Sequence, residues 1–294
     1  MIDLHLHSYY SDGVYSPSEL AKKMKLAGFS VVSLTDHNGL DGVKEFLKQG
    51  GKIGLKVIPG VEIYTRFRDK HLHLLGYGFD LEDKKLNSVL KGLQKQRIPR
   101  IKKAIEILQN EGWEMREKEI FETNASYLGL VHLANFLKKS PRNWARIKKD
   151  FDWFPGKIIP ITEIIAKYFI KNSHSIYGGH SICPETTIPV DQAIALLKQA
   201  GGKTILAHPG VSLSWKDNAL IVDLKNMGLD GIEAISSHHS WQQIEHWQII
   251  AKESGLIITA GSDFHGILPQ EWGLSINSQW DYFKVLKNTE VEPL

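Results

Sequence analysis

The chain has 294 residues, of which 42% are hydrophobic, and a net charge of +3, so it can bury a substantial core as one large domain or as one domain with an insert. The single cysteine, Cys183, excludes an internal disulfide. The start lacks the features of a signal peptide, and no apolar run approaches the ~18 residues of a membrane span. We therefore expect a cytoplasmic protein with no membrane partner, and no protein partner is implied.

The first predicted element is a short strand over residues 2–7, where apolar and polar side chains alternate. His5 and His7 therefore lie on one side of the strand, about 6.5–7 Å apart along the chain. This spacing lets two imidazoles bind one metal ion. Asp12 follows in a turn that can bring its carboxylate back toward the strand end. This ligand set suits Zn, Mn or Fe, although a surface strand with two chance histidines is the alternative at this point.

A helix and a second strand come next, which is the pattern of a βαβ unit and favours a parallel sheet. The helix is predicted to begin at Ser16-Pro17 and to end at Gly28. The strand covers residues 29–34 and is followed by Thr35-Asp36-His37. Functional side chains in such sheets gather at the carboxyl ends of the strands, so we expect His37 to join the histidines of the first strand.

Two further predicted strands carry polar residues in apolar surroundings. After a short helix over residues 40–49, the strand at 56–63 contains Glu62, whose unpaired carboxylate would be costly to bury. A metal ion would remove that cost. The strand at 71–77 has two histidines on one side. His73, which is followed by an apolar run, is the predicted ligand, and His71 is predicted to lie on the rim.

Beyond Leu81 the pattern becomes helical. We predict a long helix over residues 86–112 that Pro99 breaks or kinks and Gly112 ends, then helices at 131–139, 144–150 and 161–171. An irregular stretch follows at 173–189. Between Leu81 and Val190 there are 19 Lys and Arg against 12 Asp and Glu. A basic module suits a polyanionic substrate, although a solvated lysine-rich surface has the same composition.

Alternation of strands and helices resumes at Val190. Helices are predicted at 190–199, 218–227 and 244–253, and strands at 204–207, 231–235 and 256–260. The strands are followed by His208, by His238-His239 and by Asp263-Phe264-His265. Nine candidate ligands thus lie at or near strand ends: His5, His7, Asp12, His37, Glu62, His73, His208, Asp263 and His265. They are enough for two or three divalent metal ions (Mn, Fe or Zn), with Glu62 the most plausible bridge.

The segments around these residues resemble the motifs of the polymerase-and-histidinol-phosphatase (PHP) family of metal-dependent phosphoesterases. The resemblance covers about the first 80 and the last 105 residues. Within the family, the basic insert and Ala200–Gly210 resemble the subgroup that acts on 3′,5′-bisphosphonucleotides, some of whose members are also 5′–3′ exoribonucleases. The resemblance implies an α/β fold, a distorted (β/α)7 TIM-like barrel made of residues 1–80 and 190–294, with a mainly helical insert domain over 81–189.

The resemblance also implies a trinuclear site. One ion would be held by His5, His7, Glu62 and Asp263, a second by Glu62, His73 and His208, and a third by Asp12, His37 and His265. His132 in the insert and His239 are implied to contact a substrate phosphate. The chemistry also needs a proton donor for the leaving group: His265 or His37 if it is not fully engaged as a ligand, and otherwise a metal-bound water or His239. The sequence departs from the subgroup where arginines are missing around His132 and where Trp241 replaces an expected proline. Tyr127, Trp144, Trp153 and Tyr177 could stack nucleobases or equally belong to the insert core.

We therefore predict a phosphatase that releases the 3′-phosphate of 3′,5′-bisphosphonucleotides, and that also acts on short RNA from its 5′ end, through a metal-activated hydroxide. One alternative is the same chemistry on a small phosphomonoester such as histidinol phosphate. The other is a non-catalytic module that binds metal or nucleic acid. That module would be expected to have lost ligands, whereas every motif position here is filled.

Overall fold

The computed structural model describes residues 1–171 and 180–266. Its strands are β1 (Ile2–Leu6), β2 (Val31–Leu34), β3 (Lys56–Phe67), β4 (Lys70–Tyr77), β5 (Ile170–Lys171), β6 (His180–Ser181), β7 (Ile188–Pro189), β8 (Lys203–Leu206), β9 (Gly231–Ser236) and β10 (Ile257–Gly261). Its α-helices are α1 (Pro17–Leu26), α2 (Val43–Lys52), α3 (Lys84–Asn110), α4 (Glu117–Phe121), α5 (Leu130–Lys139), α6 (Pro141–Asp150), α7 (Ile161–Phe169), α8 (Val190–Gln199), α9 (Pro209–Ser212), α10 (Asn218–Asn226) and α11 (Trp241–Glu253). Tyr177 and residues 173–179 of the predicted irregular stretch lie outside the described residues.

The main sheet runs in the order β1-β2-β3-β4-β8-β9-β10, with β7 added beside β3. Its last strand returns to its first, because Phe264 forms a parallel bridge with Leu6 and its carbonyl accepts a hydrogen bond from the His7 amide at 3.0 Å. Helices pack outside this nearly closed sheet, and their apolar faces form the core together with the outer faces of the strands. The predicted distorted TIM-like barrel is confirmed.

One strand contradicts the predicted parallel arrangement. β4 runs antiparallel to both of its neighbours, β3 and β8, whereas the other pairs along the main sheet are parallel. The physical reason is the connection: only Arg68 and Asp69 separate β3 from β4, and a parallel crossover needs a dozen or more residues. Arg68 adopts a left-handed φ of 54°, which closes this tight hairpin.

Local sequence accounts for the helix ends. Ser16 and Glu19 form the reciprocal hydrogen bonds of a capping box at the start of α1, and Gly28 follows it at φ 89°. Gly112, at φ 83°, likewise follows the end of α3. The predicted helix ends at Gly28 and Gly112 are confirmed. A break at Pro99 is not observed, since α3 continues through it. The short helices α4 and α9 were not predicted.

Helices α3 to α7 share a second hydrophobic cluster, which includes Ile101, Leu133, Ile147 and Phe169. Trp144 and Trp153 pack against this cluster, and Tyr127 is buried, so the described part of the chain shows none of the three as an open stacking platform. This region also contains the two-stranded sheet β5–β6. Among the described residues, none of the helices combines the length and the apolar character that a membrane span requires.

Candidate metal centre

The nine predicted ligands come together in three contiguous groups. The groups are His5, His7, Glu62 and Asp263; His7, Asp12, His37 and His265; and Glu62, His73 and His208. In each group, one ligand atom from every residue lies within 4.8 Å of the others. His7 and Glu62 each belong to two groups, so the three form one continuous cluster. His71, by contrast, is exposed.

Glu62 lies at the centre of this cluster and is fully buried. One carboxylate oxygen is 2.8 Å from Nδ1 of His37, and the other is 2.8 Å from Nδ1 of His73. Burial by itself would raise the pKa of Glu62, but the charges of His37, His5 and His73 hold this pKa well below its usual range. The centre therefore contains a carboxylate anion surrounded by imidazoles.

His7 is uncharged, in contrast to Glu62. Burial, together with the neighbouring His265 and His37, lowers the pKa of His7 to about 3. Its imidazole is therefore neutral at physiological pH and keeps a lone pair on a ring nitrogen. A neutral imidazole beside carboxylate anions is the donor set that a divalent transition metal accepts.

Several buried atoms of the cluster make no well-aligned hydrogen bond among the described residues, although some lie at ion-pair distance from one another, as His37 Nδ1 and Glu62 Oε2 do. They are His5 Nε2, His7 Nε2, Asp12 Oδ1, His37 Nδ1, Glu62 Oε2, His208 Nδ1 and Asp263 Oδ1. Buried polar atoms are ordinarily satisfied, and leaving this many unpaired in one place would be costly. Divalent cations would satisfy them, so the residues present fit a metal centre.

Unusual backbone geometry holds three of the loops that carry or flank these ligands. Asn38, His208 and Asp263 have left-handed φ angles of 47°, 22° and 53°, which are uncommon for residues other than glycine. Such positions tend to cluster at functional sites. Gly261 allows a close approach instead: a Cβ atom there would lie 2.1 Å from Glu233 Oε1 and 2.3 Å from the Cβ of His5.

Glu233 was not predicted. Its fully buried carboxylate accepts a hydrogen bond from Nδ1 of His5 at 2.9 Å, and its other oxygen accepts one from the backbone amide of His208 at 2.9 Å. The first bond leaves Nε2 of His5 facing the ligand cluster, and the second fixes the loop of His208. The available signal was a carboxylate within the apolar strand β9, the same signal that identified Glu62.

His238 was also missed, because the family resemblance pointed to its neighbour. Its Nε2 lies 2.7 Å from Oδ2 of Asp263, and a carboxylate oxygen can only accept, so the imidazole donates. This leaves Oδ1 of Asp263, which has no hydrogen-bond partner in the described chain, facing the cluster. His238 therefore orients a candidate ligand.

The geometry argues against the predicted catalytic and phosphate-binding roles of His239. Its Nδ1 donates to the Ala234 carbonyl at 2.9 Å, and its Nε2 accepts from the Gly210 amide at 3.0 Å. Both ring nitrogens therefore link backbone segments, and neither is available to a substrate. Burial lowers the pKa of His239 to about 4, so the ring is neutral.

The two other histidines with predicted substrate or proton roles also have defined partners. His265 donates from Nδ1 to the Asp263 carbonyl at 2.7 Å, and its Nε2 lies 3.2 Å from Asp12 Oδ1. This arrangement fits a ligand better than a proton donor. Nδ1 of His132 accepts from the Gly129 amide at 3.0 Å, and its half-buried ring lies near Asp12 and is bonded to the Ser11 backbone. It braces the Asp12 turn rather than presenting a free imidazole.

A model of the PHP domain matches residues 3–172, which is more than half of the chain. The chain belongs to the PHP domain family. Two bacterial relatives of this PHP protein are similar over nearly their whole length. A 5′–3′ exoribonuclease of Haemophilus influenzae is 31% identical over 90% of this chain and 89% of its own. A 3′,5′-nucleoside bisphosphate phosphatase of Chromobacterium violaceum is 26% identical over 95% of this chain and 92% of its own.

Solved structures give the same fold for the PHP protein. An amidohydrolase from Chromobacterium violaceum, with bound sulfate and no metal, superposes with a TM-score of 0.71 at 25% identity, covering 90% of this chain and 87% of its own. A Bifidobacterium adolescentis structure, described as a metal-dependent phosphoesterase, has a TM-score of 0.74 at 22% identity, covering 96% of this chain and 95% of its own. The PHP protein is a metal-dependent phosphoesterase, and these relatives carry the names of the subgroup that its sequence motifs resemble.

Proposed function

We propose that this protein hydrolyses the 3′-phosphate of 3′,5′-bisphosphonucleotides and also removes nucleotides from the 5′ end of short RNA. The observation that carries the proposal is the cluster of three ligand groups, which His7 and Glu62 link because each of them belongs to two groups. A site of this size suits two to three divalent ions, and we keep Mn, Fe and Zn as candidates because all three accept histidine and carboxylate ligands. We also propose that residues 1–80 and 190–294 form the barrel domain and that residues 81–189 form an insert domain.

The nine ligands would hold the ions in the partition implied by the family. When bound, the ions would activate a water for in-line attack on phosphorus and neutralise the charge that builds on the phosphate oxygens. The chain's own contribution is positioning: Glu233 orients His5, and His238 orients Asp263. His239 and His132 hold the surrounding loops through the backbone.

Two observations favour a nucleotide over a smaller phosphomonoester. The relatives at 31% and 26% identity are an exoribonuclease and a nucleoside bisphosphate phosphatase, and each matches this chain along nearly its whole length. The segment between Leu81 and Val190 carries 19 basic against 12 acidic residues. A second phosphate, or an RNA backbone, would be attracted to such a surface.

The test is phosphate release from adenosine 3′,5′-bisphosphate with added Mn²⁺, with histidinol phosphate assayed in parallel. We expect 5′-AMP as the product, and loss of about 100-fold or more of the activity in Asp263→Ala, which removes a ligand whose neighbours stay in place. Chromatography separates 5′-AMP from 3′-AMP and thus identifies which phosphate leaves.

A short 5′-phosphorylated RNA is the second substrate, with shortening from the 5′ end as the expected result. Faster hydrolysis of histidinol phosphate than of either nucleotide would overturn the proposed substrate but not the phosphoesterase chemistry. Bound Mn²⁺ without hydrolysis of any of these compounds would favour the non-catalytic alternative.

A further inference from the structure

A groove of about 910 Å³ lies between α2 and the first half of α3, on the outside of the barrel. We call it the flank groove; its charged lining consists of Lys44, Lys84, Lys91 and Lys95 together with Asp41 and Glu82, which leaves an excess of positive charge. The ligand groups of the metal centre contribute nothing to its walls. It is therefore a separate concave surface.

Four lysines contribute positive charge to the flank groove. Lys84, Lys91 and Lys95 are seven and four residues apart on α3, which places all three on one face of the helix. They span about 16 Å along its axis. Lys44 projects from α2 on the opposite side and pairs with Glu82 at 2.6 Å. The three lysines of α3 are exposed and form no ion pair within the described part of the chain, so their charge is available to a ligand.

One end of the flank groove contacts the loop that follows the candidate ligand His37. Gln94, in the groove wall, donates a hydrogen bond from Nε2 to the Asn38 carbonyl at 3.1 Å. Asn38 directly follows the candidate ligand His37 and has one of the left-handed φ angles of the site. From this point the groove leads away along α3 toward Lys84. Asn38 is buried, so a mononucleotide in the metal centre would not reach the groove, whereas a longer chain that passes this loop could.

We propose that the flank groove binds the phosphodiester backbone of single-stranded RNA whose 5′ end occupies the metal centre. The inference rests on the proposed function, and it adds a second contact that only a substrate of several nucleotides can make. The charges match, because a row of unpaired lysines faces a polyanion. The exposed hydroxyl of Ser88 provides a further donor that can contact ribose or phosphate oxygens.

The test compares long and short substrates in the full-length protein. Lys91→Gln with Lys95→Gln removes two charges from the groove while retaining good helix formers. The matched control is Lys22→Gln with Lys252→Gln, which removes two exposed lysines outside the groove. For a 5′-phosphorylated RNA of about ten nucleotides, we expect kcat/KM to fall roughly three- to tenfold in the groove variant and to be unchanged in the control. Hydrolysis of adenosine 3′,5′-bisphosphate should be equal in all three proteins.

Salt dependence gives an independent readout. Each phosphate contact to a single strand contributes about 0.7 to the slope of log affinity against log salt, so the groove variant should lose about 1.4 of the slope. Equal loss in the groove variant and the control would mean that net charge alone attracts RNA and would overturn the inference. So would a loss that also affects the mononucleotide. If the unaltered protein hydrolyses the bisphosphonucleotide but does not cleave RNA, that result would count against the RNA part of the proposed function instead.

Discussion

Glu233 shows how much of the metal centre depends on a side chain that is not itself a candidate ligand. Its two oxygens hold His5 and the backbone of His208 at once. Glu233→Gln keeps the shape but replaces one acceptor oxygen with an amide donor, so one of these bonds is lost. We expect a 10–100-fold weaker affinity for Mn²⁺, measured by calorimetric titration of the metal-free protein. Glu245→Gln, on the exposed surface of α11, is the control, and equal affinities in the two variants would contradict the assigned role.

His239 should behave as a structural residue. In His239→Asn the side chain no longer reaches both Ala234 and Gly210, so one buried backbone group loses its partner. We expect the free energy of unfolding to fall by about 1–3 kcal/mol. The shape of the pH profile of kcat/KM should stay the same, because the ring takes no part in proton transfer. Loss of one limb of that profile would restore His239 as an acid or base.

Sequence reasoning identified the members of the ligand cluster because each carries a local signal: a polar side chain where an apolar strand ends, or a carboxylate inside one. Glu233 carried the same local signal as Glu62, and the family resemblance pointed to the neighbour of His238. The roles of Glu233 and His238 could not be assigned, because their partners, His5 and Asp263, are 228 and 25 residues away. Pairings of this kind depend on which strands become neighbours, and a single sequence does not specify that.

Among the larger elements, the buried arginine that ties α3 to the segments around Leu128 and Cys183 is a clear target. Arg97 is 1% exposed; it donates to the carbonyls of Leu128, Cys183 and Pro184 and to the carboxylate of Glu185. Lysine cannot reproduce this planar set of donors. We expect Arg97→Lys to lower the free energy of unfolding by about 3–5 kcal/mol, measured by urea denaturation. Lys103→Arg, on the exposed side of α3, should be neutral, and equal stability of the two variants would refute this role.

The connection between β8 and β9 should give a pH-dependent contribution to stability. Burial alone would raise the pKa of Asp230, but hydrogen bonds from the Thr204 amide and from Lys198 lower it below its usual value. A lowered folded-state pKa means stability that is present above the unfolded-state pKa of about 4 and is lost as the pH falls through the folded-state value. Asp230→Asn should therefore destabilise the protein by about 1–2 kcal/mol at pH 7, and by less at about pH 3.

Urea denaturation at the two pH values measures this difference. Asp152→Asn is the control, because Asp152 is exposed and its left-handed φ of 46° suits asparagine equally well. The free energy of unfolding of Asp230→Asn is compared with that of the unaltered protein at each pH. If the difference is the same at both pH values, the carboxylate charge is not what stabilises this connection.

The direction of β4 marks the limit of sequence reasoning about elements. Alternation of strand and helix predicts the parallel pairs, and the positions of most strands and helices followed from periodicity and capping residues. The sequence shows a strand over residues 71–77, but periodicity does not reveal its direction. The two-residue connection to β3 decides the direction of β4. The sequence did not show that this connection is so short, because β3 extends four residues past its predicted end at residue 63.

For the whole molecule, metal removal is expected to lower thermal stability. Ions that bind only the folded state stabilise it by about 2.7 kcal/mol when their concentration is about 100 times Kd. Chelation followed by dialysis should therefore lower Tm by roughly 5–10 °C in a chain of this size. Differential scanning calorimetry measures the change, and re-addition of Mn²⁺ should reverse it. The Asp263→Ala protein should show a smaller shift, and an equal shift would place the stabilising ions elsewhere.

The bridge between Leu6 and Phe264 has a consequence for synthesis of the protein. His5 and His7 leave the ribosome first, but Asp263 and His265, which complete their ligand groups, emerge some 258 residues later. Contacts this distant in sequence form late, because the intervening chain must be ordered before they are gained. A nascent chain therefore carries most of the barrel before it carries a complete catalytic centre. Phosphoester hydrolysis beside the translating ribosome is thereby delayed until the last strand of the barrel is in place.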